Sequence, residues 1–338
     1  MNKITTVGLD LAKQVFHVVG VDRHEKEVTK KMLRRNQVLA YFAKLPPCLI
    51  GMEACAGAHD WARRLKDLGH EVRLISPRFV KAYVRGNKND YNDARAIAEA
   101  ARRPGMRCVA VKTVEQQDRQ ALHRLRAARV AERTALCNQL RGLLAEYGVV
   151  APKGVATLRR RIPEWLEDAE APLTPMFRQL LHRAYQQLTE LDGHVEFYTG
   201  LIEQQARESE AQRRLQTVPG FGPIVASMFH ATVGDATAYR RGRDVSAALG
   251  LVPRQHSSGG KEVLLGISKR GDPYLRSLLV HGARAVLRQA HRKDDRLSRW
   301  VVKLKAERGA NKAAVALANK LARIGWAVLR QNTVYHPA

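Results

Sequence analysis

Along residues 4–22, ITTVGLDLAKQVFHVVGVD, apolar positions alternate with polar ones and then run together. With EKEVTKKML downstream, they predict three antiparallel strands joined by short turns. A helix is expected from Gln37 to Lys44. CLIGMEA (48–54) then predicts a buried strand, HDWARRLKDLG a helix closed by Gly69, and EVRLIS a further strand. The resulting order, βββαβαβ followed by helices, is an α/β plan.

From Val114 to Tyr147 the pattern turns helical and basic, ended by Gly148, Pro152 and Gly154. Beyond a linker, Phe177, Leu181, Ala184, Leu188, Leu191, Val195, Tyr198 and Ile202 hold an unbroken heptad register. Such a register predicts a coiled-coil arm used for subunit assembly, the alternative being a long helix packed within its own domain. A third part opens at LQTVPGFGPIVASMFHATVGD. There a helix end, the turn Pro219-Gly220-Phe221-Gly222 and a helix starting with Pro223 make a helix-hairpin-helix pattern. Gly220 and Gly222 would let backbone N–H groups approach a phosphate, or would simply form a tight turn between helices. The domain boundaries expected are 1–150 for an α/β domain, 151–215 for linker and coiled coil, and 216–338 for a mainly helical C-terminal domain.

Charge changes this picture from a fold to a partner. The 338 residues carry 58 Lys+Arg against 32 Asp+Glu, a net charge of +26, which points to a polyanion. The excess is segregated: residues 216–338 hold 21 basic and 7 acidic residues, whereas 162–215 hold 5 and 10. Solubility alone does not require such segregation, which fits binding to DNA or RNA, although a basic face can also be merely solvated. No apolar run reaches the roughly 20 residues of a membrane-spanning helix and the start is strand-like, so a cytoplasmic protein without a membrane partner is expected. The four cysteines show neither CxxC nor Cys/His spacing, so neither a zinc site nor a disulfide framework is suggested and free thiols are expected.

Acids inside apolar strands stand out in so basic a chain. Asp10 lies mid-strand in VGLDLAK, and Glu53 ends CLIGME, where burial without a partner is costly. Asp90 and Asp93, in KNDYNDARAIAEA, are spaced to share one helical face. Four acids from three elements could converge on a divalent cation, for which oxygen ligands select Mg²⁺ or Mn²⁺. Alternatively Asp90 is an N-cap and Asp93 a favourable first-turn acid. The strand and helix order is also the one expected of a ribonuclease-H-like domain, although other mixed-sheet folds share it.

GLDLAKQVFHVVGVD, GMEACAGAH, KNDYNDARAIAEA, TVPGFGPIVA, ALGLVPRQHSSGGK and GISKRGDPYLRSLLVHGARA together resemble the insertion sequence 110 family of transposases, close to its 1111 subgroup. The resemblance spans almost the whole chain. It implies a RuvC-like DEDD domain, a coiled-coil region and a C-terminal transposase domain, with the DEDD set on Asp10, Glu53, Asp90 and Asp93 and Mg²⁺ as cofactor. It also implies a serine nucleophile in an SG motif that forms a 5′-phosphoserine link, the DEDD site acting in the same reaction. Ser258, directly before glycine, is the expected nucleophile and Ser257 the alternative; on chemistry alone the segment is a Gly/Ser loop. Lys261, Lys269, Arg270 and Arg276 would then hold phosphates or be solvated surface charge.

The resemblance further implies a structured guide RNA from the element's own non-coding end, pairing with donor and target DNA, and a homo-oligomer, dimer or dimer of dimers, that associates with the nucleoid when acting. A metal-only nuclease or junction resolvase, and a non-catalytic nucleic-acid scaffold, are the competing expectations.

Overall fold

The computed structural model describes residues 3–87 and 89–337. The chain divides into two compact units, one ending at Thr113 and the other beginning at Val114.

The first unit contains strands β1 (Thr6–Leu11), β2 (Val15–Val21), β3 (Glu27–Arg34), β4 (Leu49–Glu53), β5 (Glu71–Ile75) and β6 (Cys108–Val109). Its helices are α1 (Val38–Phe42), α2 (Ala58–Asp67), α3 (Pro77–Val80) and α4 (Asp90–Arg102). The six strands form one sheet in the order β3-β2-β1-β4-β5-β6. Short turns make β1, β2 and β3 antiparallel, whereas β4 and β5 run parallel to β1, as helical crossovers require. A mixed sheet in this order is consistent with the ribonuclease-H-like plan.

Side-chain alternation splits the sheet into two faces. Val7, Leu9, Ile50, Met52, Phe16 and Val18 pack with Trp61 and Leu65 of α2 and Phe42 of α1. On the opposite face Gly8 and Gly51, paired in register, meet α4. A methyl group on Gly8 would lie 1.8 Å from the Ala94 carbonyl oxygen, and one on Gly51 2.7 Å from Ala101 Cβ. Glycine on the strands and alanine on the helix therefore bring α4 down onto the sheet backbone.

The second unit holds α5 (Val114–Glu146), α6 (Val155–Glu167), α7 (Pro175–Glu208), α8 (Glu210–Gln216), α9 (Pro223–Val233), α10 (Gly242–Ala248), α11 (Pro273–Gln289), α12 (Arg296–Arg308) and α13 (Ala310–Gln331), with the small antiparallel pair β7 (Pro253–Gln255) and β8 (Leu264–Ile267). The expected boundaries at 150 and 215 thus differ from the single division at 113/114. The reason lies in α5: Leu136, Cys137, Leu140 and Leu144 are buried against α6 and α7, so this helix belongs to the second unit.

The heptad register is likewise used within the chain. Phe177, Leu181, Leu188 and Leu191 of α7 pack in that same core with Leu158, Ile162 and Trp165 of α6. Arg133 of α5 and Arg159 of α6 fasten the three helices through Asp192, at 2.7 and 2.9 Å. A second core joins Phe221 and Phe229 to Leu275, Leu279, Leu317 and Leu321. Among the described residues no helix is long and apolar enough to cross a membrane.

Candidate active site

Gly8 and Asp10, two residues apart, share a face of β1, and Gly51 and Glu53 do the same on β4. The glycines that admit α4 therefore aim the acids at its first turn. Asn89, rather than Asp90, caps that helix: its side-chain oxygen accepts from Tyr91 N at 2.9 Å. Asp90 and Asp93, freed from capping, stand in the first turn. Asp10, Asp90 and Asp93 each offer a carboxylate oxygen, all within 4.8 Å of one another.

Glu53 lies outside this closest group but within its field. Burial first, then the charges of Asp10 and Asp93, hold its carboxyl above the usual carboxylate range. Asp10 is raised likewise, by burial and then by Asp93 and Asp90, against a smaller lowering from His17 and the Leu11 backbone. His17 faces Asp10 across the β1–β2 pair, places Nδ1 3.5 Å from Asp90, and packs its ring against the edge of Tyr91. No Lys or Arg pairs with Asp10, Glu53, Asp90 or Asp93 among the described residues, in a chain with 58 of them.

The serines sit in the second unit, beyond α10. Lys261 N donates to Ser258 O at 3.0 Å, and Gly259 and Gly260 have φ of +55° and +76°, the paired left-handed conformations of a tight hairpin turn. Ser257 Oγ accepts from Gln255 Nε2 at 3.0 Å and from Val263 N at 3.3 Å, so it braces the hairpin. Ser258 Oγ, exposed at the turn, makes no hydrogen bond among the described residues. The hairpin is anchored where Gly250 and Gly271 interlock: a methyl on Gly250 would lie 2.3 Å from Arg270 N, and one on Gly271 1.9 Å from Ala248 O.

Residues 7–149 match a family model described as "Transposase", that of DEDD transposases of the IS110 type, and residues 212–298 match "Transposase IS116/IS110/IS902 family". A "Probable family 20 transposase" of Pseudomonas aeruginosa is 51% identical over 99% of this chain and 99% of its own. The chain belongs to the IS110/IS116/IS902 family of transposases. The transposase for insertion sequence element IS1111A of Coxiella burnetii is 46% identical over 99% of this chain and 92% of its own. That for IS1328 of Yersinia enterocolitica is 42% identical over 99% of each chain.

As an insertion-sequence transposase it is a DNA recombination enzyme, and its DEDD class implies a divalent metal. The donor set of this transposase fits such an ion. Oxygens around an octahedral Mg²⁺ are roughly 3 Å apart when adjacent and about 4 Å when opposite, so three oxygens within 4.8 Å of one another could close on one ion.

The remaining predicted residues fall into different surroundings. Lys261, Lys269 and Arg270 are exposed. Arg276 donates from Nη1 to Leu249 O at 3.1 Å and Arg270 O at 2.7 Å, so one arm of its guanidinium holds the hairpin base. Gly220, with φ of +80°, packs against Gly282 of α11, where a methyl would lie 2.7 Å from its carbonyl oxygen; beside Gly222 there is open space. The first glycine thus serves helix packing, and only the second leaves room for a ligand. Gly8, Gly51 and Asn89 are the supporting residues that sequence reasoning missed. The GxD of GLD and GxE of GME, each glycine two residues before an acid, were the signal.

Proposed function

We propose that this transposase carries out RNA-guided DNA recombination in which Ser258 is the nucleophile and Asp10, Glu53, Asp90 and Asp93 hold Mg²⁺, with Mn²⁺ able to substitute. The observation that supports the metal assignment is the set of four acids that, among the described residues, no Lys or Arg pairs with in so basic a protein. The bound ion would neutralise charge on the phosphate oxygens and so ease attack. In the serine step, Ser258 Oγ forms a bond to phosphorus and loses its proton, while the P–O3′ bond breaks and the leaving 3′ oxygen takes up a proton. The product is a 5′-phosphoserine and a free 3′-hydroxyl.

Ser258 is favoured over Ser257 because its hydroxyl is unengaged at the exposed turn, whereas Ser257 is committed to bracing the hairpin. Lys261 at the turn and Lys269 and Arg270 at the hairpin base carry charge suited to DNA phosphates; Gly222 and, through the turn it shapes, Gly220 would serve the same end, and the free donors of Arg276 can still reach a phosphate. The donor and target DNA and a structured guide RNA are the polyanions that this reading requires, and a homo-oligomer of two or four chains the assembly, built around the long α5–α7 region and acting at the nucleoid.

Denaturing electrophoresis of the reaction with end-labelled DNA tests the serine. A covalent adduct is expected from the wild type and from Ser257→Ala, and none from Ser258→Ala. Cleavage without any adduct would instead favour metal-only hydrolysis, and binding without cleavage under any metal condition a scaffold. Sequencing RNA copurified from the host tests the guide: one enriched transcript from the element supports it, and a random sample of cellular RNA overturns it.

A further inference from the structure

A second basic feature lies away from the serine hairpin, at the other end of α10. There the chain from Arg241 to Arg243 lies against α13, enclosing a cavity of about 360 Å³ lined by Arg241, Arg243, Lys320, Arg323, Ile324 and Trp326. The close fit depends on Gly242: a methyl there would lie 3.2 Å from both Arg323 Cβ and Trp326 Cε3. Trp326 is fixed by its indole N–H, which donates to Tyr239 O at 3.2 Å. Its ring and Ile324 thus form an ordered apolar wall.

Among the described residues no carboxylate pairs with Arg241, Arg243, Arg296, Lys320 or Arg323. The nearby Asp244 carboxylate accepts instead from Arg241 N, at 3.1 Å. Lys320 is half-buried, its Nζ 4.3 Å from the centre of the Trp300 ring. Burial first, then the neighbouring Arg296 and Arg323, lower its pKa below the usual lysine range. Holding these like charges together costs energy that an anion would relieve. The apolar floor distinguishes the place from a solvated basic surface. Phosphate recognition alone needs no indole, whereas an unstacked base does.

We infer that the groove between Arg241–Arg243 and α13 is a binding site for a single-stranded nucleic acid, its phosphates on Arg241, Arg243, Arg323 and Lys320 and one unpaired base against Trp326 and Ile324. Duplex DNA keeps its bases stacked and offers no such base. Single-stranded RNA and single-stranded DNA share the required chemistry. The site would position strand near α10, whose far end leads through Leu249–Leu251 into the serine hairpin.

The test is equilibrium binding by the full chain in EDTA, with short single strands of RNA or DNA carrying one 4-thiouracil or 4-thiothymine, and with the matching duplex. Neither serine attack nor metal enters this measurement, so its failure is separable from failure of the recombination chemistry. Photocrosslinks are expected on α13 around Trp326. Arg241→Gln/Arg323→Gln should weaken binding of the strand that uses the groove about ten-fold, and reduce the slope of log affinity against log salt by about 1.4, for two phosphates at roughly 0.7 each. Lys320→Gln should act in the same direction, and serves as the second variant if the double one does not fold. Loss in the RNA arm alone, the DNA arm alone or both identifies the strand and supports the site. Unchanged affinity and salt slope, crosslinks confined to other segments, or duplex binding lost in parallel with single-strand binding would overturn it.

Discussion

Asp10 shows how a single residue can be unfavourable for the folded protein and necessary to the site. Its folded pKa is raised, so below the ordinary carboxylate value of 3.8 it is neutral in both states and costs nothing. As pH rises through that value and then through the folded pKa, ionisation is harder in the folded protein and stability is lost. Asp10→Asn should therefore raise the melting temperature of the metal-free protein near neutral pH. The gain should vanish near pH 3. In differential scanning fluorimetry, Mg²⁺ should raise the wild-type melting temperature and leave that of Asp10→Asn unmoved. Gly8→Ala attacks the same site from behind: its methyl meets the Ala94 carbonyl, which cannot yield without shifting α4. A loss of about 1–3 kcal/mol or more in urea unfolding is expected, with a weakened Mg²⁺ response. The acids were legible in the sequence because charge inside an apolar strand is conspicuous. Gly8, Gly51 and Asn89 were not, because a glycine declares a close approach only when the opposing helix is known.

At the scale of elements, local periodicity carried the sequence reading well where one face of an element is buried. All three strands of the first meander, β4, β5 and the helices between them lie where alternation and turn residues placed them. Periodicity could not say what a face is buried against. The heptads of α7 specify a seam, and its first half, from Phe177 to Leu191, packs with α5 and α6 of the same chain. Leu188, fully buried in it, is the discriminating position. Leu188→Ala should cost about 2–5 kcal/mol in chemical unfolding while the mass of the assembly, read by light scattering, stays unchanged. A shift of that mass without loss of stability would return the seam to an intermolecular role. Phe197, on the same helix but 60% exposed, should tolerate Ser with little stability change. The hairpin of β7 and β8 was legible only as a Gly/Ser loop, since its turn rests on two left-handed glycines and on a hydroxyl bracing its neighbours.

Across the whole molecule, a net charge of +26 burdens the free protein with self-repulsion that a polyanion relieves, and acid conditions add to that burden through histidines that are buried or half-buried. His59 in the first unit and His123 and His230 in the second all have pKa values pushed down to about 4, in each case chiefly by burial and then by neighbouring cations. Each has a use for a neutral ring or no room for a charged one. His59 Nδ1 accepts from Lys112 N at 3.2 Å, His123 lies between Ser227 Oγ at 3.0 Å and the Tyr274 hydroxyl at 3.4 Å, and His230 Nδ1 is buried with no hydrogen-bond partner among the described residues. Because the folded pKa lies below the unfolded one, near 6.5, the unfolded chain takes up protons first. Stability is then complete above pH 6.5 and falls as pH drops from 6.5 towards 4. For His123, which is fully buried, the loss across that window is on the order of 3 kcal/mol. Urea unfolding at pH 7.5 and pH 4.5 should show this fall in the wild type, and His123→Gln, less stable at neutral pH for want of its two hydrogen bonds, should show a shallower one. An equal slope in both proteins would mean that the acid sensitivity comes from general charge repulsion, which added salt would then suppress, whereas titration of a ring sealed among α5, α9 and α11 should persist at high ionic strength.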